Sequence, residues 1–113
     1  MRLSALALTA LLALGCAAIE GHRHFEAGNR ALDRGDAAAA VTAFERAATL
    51  VPEASEVQNH LGLAYTAAGR DEDALAAFER AVVLDCDNQA AAANLSAARR
   101  RASVEAAHST TRR

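Results

Sequence analysis

Apolar residues are distributed differently in three parts of the chain. Residues 3–15 form an uncharged run, while residues 21–88 carry a mixed pattern of apolar and charged positions that occurs twice in succession. After Arg101 the sequence turns polar. The first run is shorter than the ~20 apolar residues of a transmembrane helix, and its length is typical of the apolar core of a secretory signal. The second pattern predicts a repeated structural unit.

The apolar run ends at Gly15 and Cys16, with Ala13 before them. This ending resembles the processing box of bacterial lipoproteins, in which small residues precede an obligatory cysteine. The resemblance implies that residues 1–15 are a signal peptide and that Cys16 carries a diacylglycerol on its sulfur and an acyl chain on its amine. Ala17 follows in place of aspartate, which implies delivery to the outer membrane. We expect an exported, lipid-anchored protein on the periplasmic side of a bacterial envelope; a conventionally cleaved signal peptide is the alternative.

The internal repeat is seen when residues 21–54 are aligned with residues 55–88. Nine positions are identical, and the block Phe-Glu-Arg-Ala recurs intact. This register resembles the tetratricopeptide repeat, a helix–turn–helix unit that stacks into a superhelix. The identical pairs are Gly28/Gly62, Gly35/Gly69, Ala40/Ala74, Ala43/Ala77, Phe44/Phe78, Glu45/Glu79, Arg46/Arg80, Ala47/Ala81 and Leu50/Leu84.

Helix packing and turn geometry explain the residue types at the matched positions. Gly28 and Gly62 are expected where the two helices of a unit cross, because a side chain there would push the helices apart. Gly35 and Gly69 are expected in the turns, where glycine adopts a positive φ at low cost. The residues to which the resemblance assigns repeat packing are Gly28, Ala40, Phe44, Ala47, Gly62, Tyr65, Ala74, Phe78 and Ala81.

The resulting prediction is an all-α solenoid of two full repeats and a C-terminal capping helix. Its helices are expected at about 20–34, 37–50, 54–68, 71–84 and 88–104, with Asn88 as the N-cap of the last. The predicted organisation is a signal peptide over residues 1–15, an anchor linker over 16–20, repeats over 21–54 and 55–88, a capping helix over 89–105 and a basic polar tail over 106–113.

Composition supports packed helices. The chain has 32 alanines and few β-branched residues, and its only aromatic residues are three phenylalanines and one tyrosine. This composition favours helices over a sheet, and 113 residues exclude a large catalytic α/β domain.

Charge is divided unevenly along the chain. Residues 16–98 carry thirteen acidic side chains and six arginines, whereas residues 99–113 carry five arginines and one glutamate. The formal net charge of −2 gives no case for nucleic-acid binding. The basic end is interpreted either as a solvated helix terminus or as a contact with anionic lipid or an acidic partner.

The resemblance also implies a peptide groove lined mainly by the first helix of each repeat. The expected groove residues are Phe25, Asn29, Leu32, Asp33, Asn59, Leu63, Thr66, Ala97 and Arg100, with His22, Glu56 and Ala93 beside them. The family's clamp for a C-terminal carboxylate is not expected, because its cationic positions are lost in this sequence.

Catalytic and metal-binding motifs are not apparent in the sequence. It has no phosphate-binding glycine loop and no nucleophile–base signature, so a non-enzymatic protein without cofactor is expected. His22 and His24 diverge on a helix, and a metal site is not expected. The leading hypothesis is a lipid-anchored module that binds a protein or peptide, with assembly of an envelope complex as one use. The alternatives are self-assembly into a homo-oligomer by stacking of repeat ends, and a histidine-based metal module.

Overall fold

A computed structural model describes residues 5–112, so residues 1–4 of the predicted signal peptide and residue 113 of the predicted tail lie outside the description. The described chain consists of five α-helices. These are α1 (Ala5–Asp33), α2 (Ala37–Leu50), α3 (Ser55–Ala67), α4 (Asp71–Leu84) and α5 (Gln89–Thr111). The predicted all-α fold class is confirmed.

The turns within the two helical hairpins depend on glycine. Gly35 and Gly69 have φ values of +74° and +72°, a left-handed conformation that costs other residues more. In the first turn the Gly35 amide donates to the Leu32 carbonyl, and the Asp36 amide donates to the Ala31 carbonyl. The two glycines therefore end α1 and α3 in the same way, as predicted.

Side-chain caps fix the start of two helices. The Asp36 carboxylate accepts a hydrogen bond from the Ala39 amide at α2, and the Asn88 side chain accepts one from the Ala91 amide at α5. Each cap satisfies an amide that has no partner within its helix. The N-cap predicted at Asn88 is confirmed.

Sequential helices pack against one another. α1 packs on α2 and α3 packs on α4 as antiparallel hairpins, while α2 against α3 and α4 against α5 join the units. A β-carbon at Gly28 would lie 2.6–2.8 Å from three atoms of the Phe44 ring, and one at Gly62 would meet the Phe78 ring as closely. Only glycine permits this approach, because both rings are fully buried.

The core is divided between the two repeats. Its larger part surrounds Phe44 and includes Leu61 from the second repeat, and its smaller part surrounds Phe78 and includes Leu95 from α5. Tyr65 packs against both parts. Apart from these residues the buried positions are mostly alanine, so helices approach closely over a small apolar volume.

The terminal helices are longer than predicted from the sequence. α1 begins at Ala5 and not near residue 20, and α5 ends at Thr111 and not near residue 104. Alanine and leucine dominate residues 5–14 and favour a helix, so α1 continues through the predicted signal and linker. No glycine or proline follows Gly69, so the sequence lacks a signal that would end α5 earlier.

By length and composition, α1 meets the criteria of a helix that can cross a membrane, and it lies near the N-terminus, where a signal sequence meets the same criteria.

Candidate functional grooves

Two open grooves lie along the first helices of the repeats. The first groove has a volume of about 430 Å³ and lies between α1, the α2–α3 loop and α3. The second has a volume of about 720 Å³ and lies between α3, the α4–α5 loop and α5. The first is lined by Ala18, Gly21, His22, Phe25, Glu26, Val51, Ala54, Glu56 and Val57. The second is lined by Glu53, Ala54, Ser55, Glu56, Asn59, His60, Leu84, Asp85, Asn88 and Ala90.

The two grooves occupy equivalent positions in successive repeats, although their lining residues differ. Most lining residues of the first groove have a counterpart in the second at the equivalent position of the next repeat, and Glu56 and Ala54 belong to both. The repeat therefore places one groove beside the next on a common surface. The corresponding pairs are Gly21/Ser55, His22/Glu56, Phe25/Asn59, Glu26/His60, Val51/Asp85, Ala54/Asn88 and Glu56/Ala90.

Contacts between neighbouring first helices form the floor of this surface, and they follow the same register. The rings of Phe25 and His60 pack edge-on, with centroids 4.8 Å apart. One repeat later, the Asn94 amide nitrogen donates to the Asn59 side-chain oxygen at 2.9 Å. An aromatic contact in the first groove is thus replaced by a hydrogen bond in the second.

A side-chain network holds the end of the second groove. The Ser55 hydroxyl donates to the Ala81 carbonyl at 2.8 Å and accepts from the Asn88 amide nitrogen at 2.9 Å. Asn88 also caps α5, so three helices meet at this point. The end of the second groove is therefore bounded by three helices that side-chain hydrogen bonds join.

Negative charge dominates both grooves. Glu26, Glu53, Glu56 and Asp85 line them, and no arginine is among the lining residues. The first groove also has apolar walls, formed by Phe25, Val51 and Val57. The surface thus combines carboxylates with an apolar patch.

Comparison with known proteins identifies the repeat. The sequence model of the tetratricopeptide repeat family matches residues 25–91, more than half of the 113-residue chain. The chain belongs to the tetratricopeptide repeat family. Such repeats generally mediate protein–protein interaction and are typically non-enzymatic modules. A search of the curated proteins finds no match.

Only some of the residues expected in the repeat groove line the two grooves. Phe25 and Asn59 line the grooves, as do His22 and Glu56. Leu32 packs against the core, and the Thr66 hydroxyl donates to the Gly62 carbonyl. Asn29 is half-buried, and Asp33, Leu63 and Ala93 are exposed. Ala97 and Arg100 line an open pocket on α5 that is separate from both grooves.

Several groove residues were missed because they lie outside the first helices. Val51 and Ala54 come from the α2–α3 loop, and Asp85 and Asn88 from the α4–α5 loop. The repeat register relates each of the first pair to one of the second, so the repeat alignment carried a signal for them.

The repeats are also joined on the side away from the grooves. The Tyr65 hydroxyl donates to the Glu45 carboxylate at 2.7 Å, and the Arg70 guanidinium lies 4.5 Å from the centre of the Tyr65 ring. Partial burial and the Glu45 hydrogen bond raise the pKa of Tyr65 to about 12. Arg99 and Glu79, at the corresponding positions of the next interface, form an ion pair at 3.5 Å.

The end surfaces of the array are more polar than its inner interface. Val57 and Ala64 are buried between the repeats, whereas the corresponding Arg23 and Arg30 are exposed on α1. At the other end, Ser96 takes the place of Gly62 and is exposed. A further repeat stacked at either end would have to cover these polar side chains.

The two histidines of the alternative metal site, His22 and His24, both lie on α1. His22 is exposed and His24 is half-buried. Within residues 5–112 no group of three or more His, Cys, Asp or Glu side chains is placed to hold a metal ion. Cys16 and Cys86 are exposed free cysteines.

Proposed function

We propose that the protein is a non-enzymatic, lipid-anchored interaction module of a bacterial envelope, which holds a segment of a partner protein along its two grooves. The observation that carries this proposal is the recurrence of one groove in successive repeats on the first-helix surface. A surface built in register offers successive subsites to one polypeptide segment.

The anchor is supported by the N-terminal half of α1. Its leucines, among them Leu6, Leu11 and Leu14, are 62–80% exposed, and the first buried residue of the helix is Gly21. An apolar surface of this extent is unfavourable in water and favourable within a signal or membrane environment. Cys16 lies between these leucines and Gly21 and is exposed, so its sulfur is accessible for acylation.

The arrangement favours a tethered module over a self-stacking one. Exposed Arg23 and Arg30 occupy the end surface that a preceding repeat would cover. Burying arginine side chains in such an interface is costly, so an end-to-end array of copies would lose stability there. A partner segment in the grooves would leave these arginines in water.

Blocking one groove tests the proposal. Ala90 lines the second groove and is exposed, so Ala90→Trp fills the groove without disturbing the core. The matched control is Ala76→Trp, at an exposed alanine of α4 outside both grooves. In a crosslinked pull-down from intact cells, Ala90→Trp should lose a partner that the unmodified chain and Ala76→Trp both retain. Equal recovery with both variants would contradict a groove-bound partner.

A further inference from the structure

We infer that the partner segment is cationic, carrying arginine or lysine side chains interspersed with aliphatic ones. This inference rests on the proposed function and adds the chemistry of the occupant. It follows from the charges, the free hydrogen-bond donor and the apolar wall of the two grooves.

The groove carboxylates are available to an external cation. The three ion pairs among the described residues are Arg23–Glu20, Arg70–Asp73 and Arg99–Glu79, and none of them involves a groove residue. Glu26, Glu53, Glu56 and Asp85 thus have no arginine partner in residues 5–112. Four such charges on one surface attract cations and repel an anionic segment.

The position of Glu56 makes the two grooves one acidic surface. Its side chain is exposed, and it lines both grooves. A cationic side chain bound in either groove therefore lies near this carboxylate, and a segment that crosses from one groove to the other passes it.

Asn59 offers a donor to the backbone of such a segment. It is 5% exposed, and its side-chain oxygen is occupied by Asn94. Its amide nitrogen has no hydrogen-bond partner in residues 5–112, and every fully buried side-chain nitrogen there has one, so this nitrogen is not fully buried. Asn59 lines the second groove, where this nitrogen would be the donor for an occupant. An amide donor held in a fixed position suits a peptide carbonyl.

The apolar wall of the first groove is the reason to expect aliphatic side chains in the segment. Phe25, Val51 and Val57 line the first groove, and the corresponding Val51 position in the second groove is Asp85. An aliphatic side chain fits the first groove, whereas a cationic side chain fits the second. From the first groove to the second, the bound segment would therefore present an apolar side chain and then a basic one.

The test uses the full chain in a non-ionic detergent and three short peptides of equal length. The first contains arginine, valine and glycine, the second replaces each arginine with uncharged citrulline, and the third replaces it with glutamate. We expect the arginine peptide to bind, to weaken as salt rises, and to bind at least about tenfold more tightly than the citrulline peptide.

Matched variants localise this binding. Glu56→Gln should weaken the arginine peptide by about two- to fivefold, and the double variant Glu53→Gln/Glu56→Gln by more. Glu72→Gln removes a carboxylate outside both grooves, in the first turn of α4, and should leave the affinity unchanged. Equal losses for Glu56→Gln and Glu72→Gln would overturn the inference, because the attraction would then reflect net charge alone.

The remaining outcomes separate this inference from the proposed function. Preference for the citrulline or glutamate peptide, abolished by Ala90→Trp, would overturn the cationic chemistry and leave groove binding intact. Binding of a second copy through its own arginine-rich α5 would keep the cationic chemistry but overturn a separate partner protein, and it would appear as concentration-dependent sedimentation of the full chain. If Ala90→Trp retains every partner in intact cells, the proposed function itself fails.

Discussion

Phe44 lies across Gly28 so closely that a β-carbon at residue 28 would be 2.6 Å from its ring. Phe78 and Gly62 show the same relationship in the second repeat. Both rings are fully buried, so neither can move aside without opening the core. This pair sets how closely the two helices of each repeat approach, and with it the position of the first helices that line the grooves.

The first prediction concerns Gly62→Ala. The added methyl group overlaps the Phe78 ring, and this overpacking outweighs the gain in helix propensity. We expect a net loss of about 1–2 kcal/mol in the free energy of unfolding, measured by urea denaturation of the full chain in detergent.

Ser96→Ala is the control for this prediction. Ser96 has the register position of Gly62 but is exposed, so the change should stay within about 0.5 kcal/mol of the unmodified chain. If Gly62→Ala is as stable as Ser96→Ala, the close approach of α3 and α4 is not required.

The second prediction concerns Tyr65, the only tyrosine of the chain. Its phenolate absorbance should titrate with a midpoint near pH 12 in the folded protein and near pH 10 in urea. Since folding raises the pKa, the contribution of Tyr65 to stability is fully present below pH 10 and is lost as the pH rises through 12.

Glu45→Gln tests the cause of that shift. Partial burial remains in this variant, but the charged acceptor is removed, so the midpoint should fall between the folded and unfolded values. An unchanged midpoint would show that Glu45 does not contact Tyr65 in solution.

The third prediction concerns the anchor. The unmodified chain should incorporate labelled palmitate in bacterial cells, and its mature form should begin at Cys16. Cys16→Ala should incorporate none, whereas Cys86→Ala, at the second exposed cysteine, should be labelled normally. A mature form that begins elsewhere and lacks label would indicate a conventionally cleaved signal peptide.

The fold could largely be predicted from sequence because its determinants recur. Gly28 and Phe44 identify a helix crossing only when their copies Gly62 and Phe78 show the same spacing. Asn88 was recognisable as an N-cap because its side chain acts locally, within one turn. The start of α1 was not predicted, because a signal segment and a helix share the same apolar, alanine-rich composition.

The grooves were harder to predict because their geometry depends on pairs of side chains from different helices. Asn59 is predicted as a groove residue and does line the second groove, but its side-chain oxygen accepts a hydrogen bond from Asn94 of α5, which is distant in sequence. No local pattern around Asn59 reports this pairing. The contribution of Asp85 depends on how the α4–α5 loop folds over the start of α3, which periodicity does not specify.

Site-specific photocrosslinking in intact cells tests the central claim, that both grooves hold one partner segment. A photoreactive residue would replace Ala18 in the first groove, Ala90 in the second, or Ala76 on α4 outside both, and all three positions are exposed. We predict that positions 18 and 90 crosslink to the same protein and that position 76 does not. Crosslinking of that protein from position 76, or of no protein from positions 18 and 90, would contradict the account.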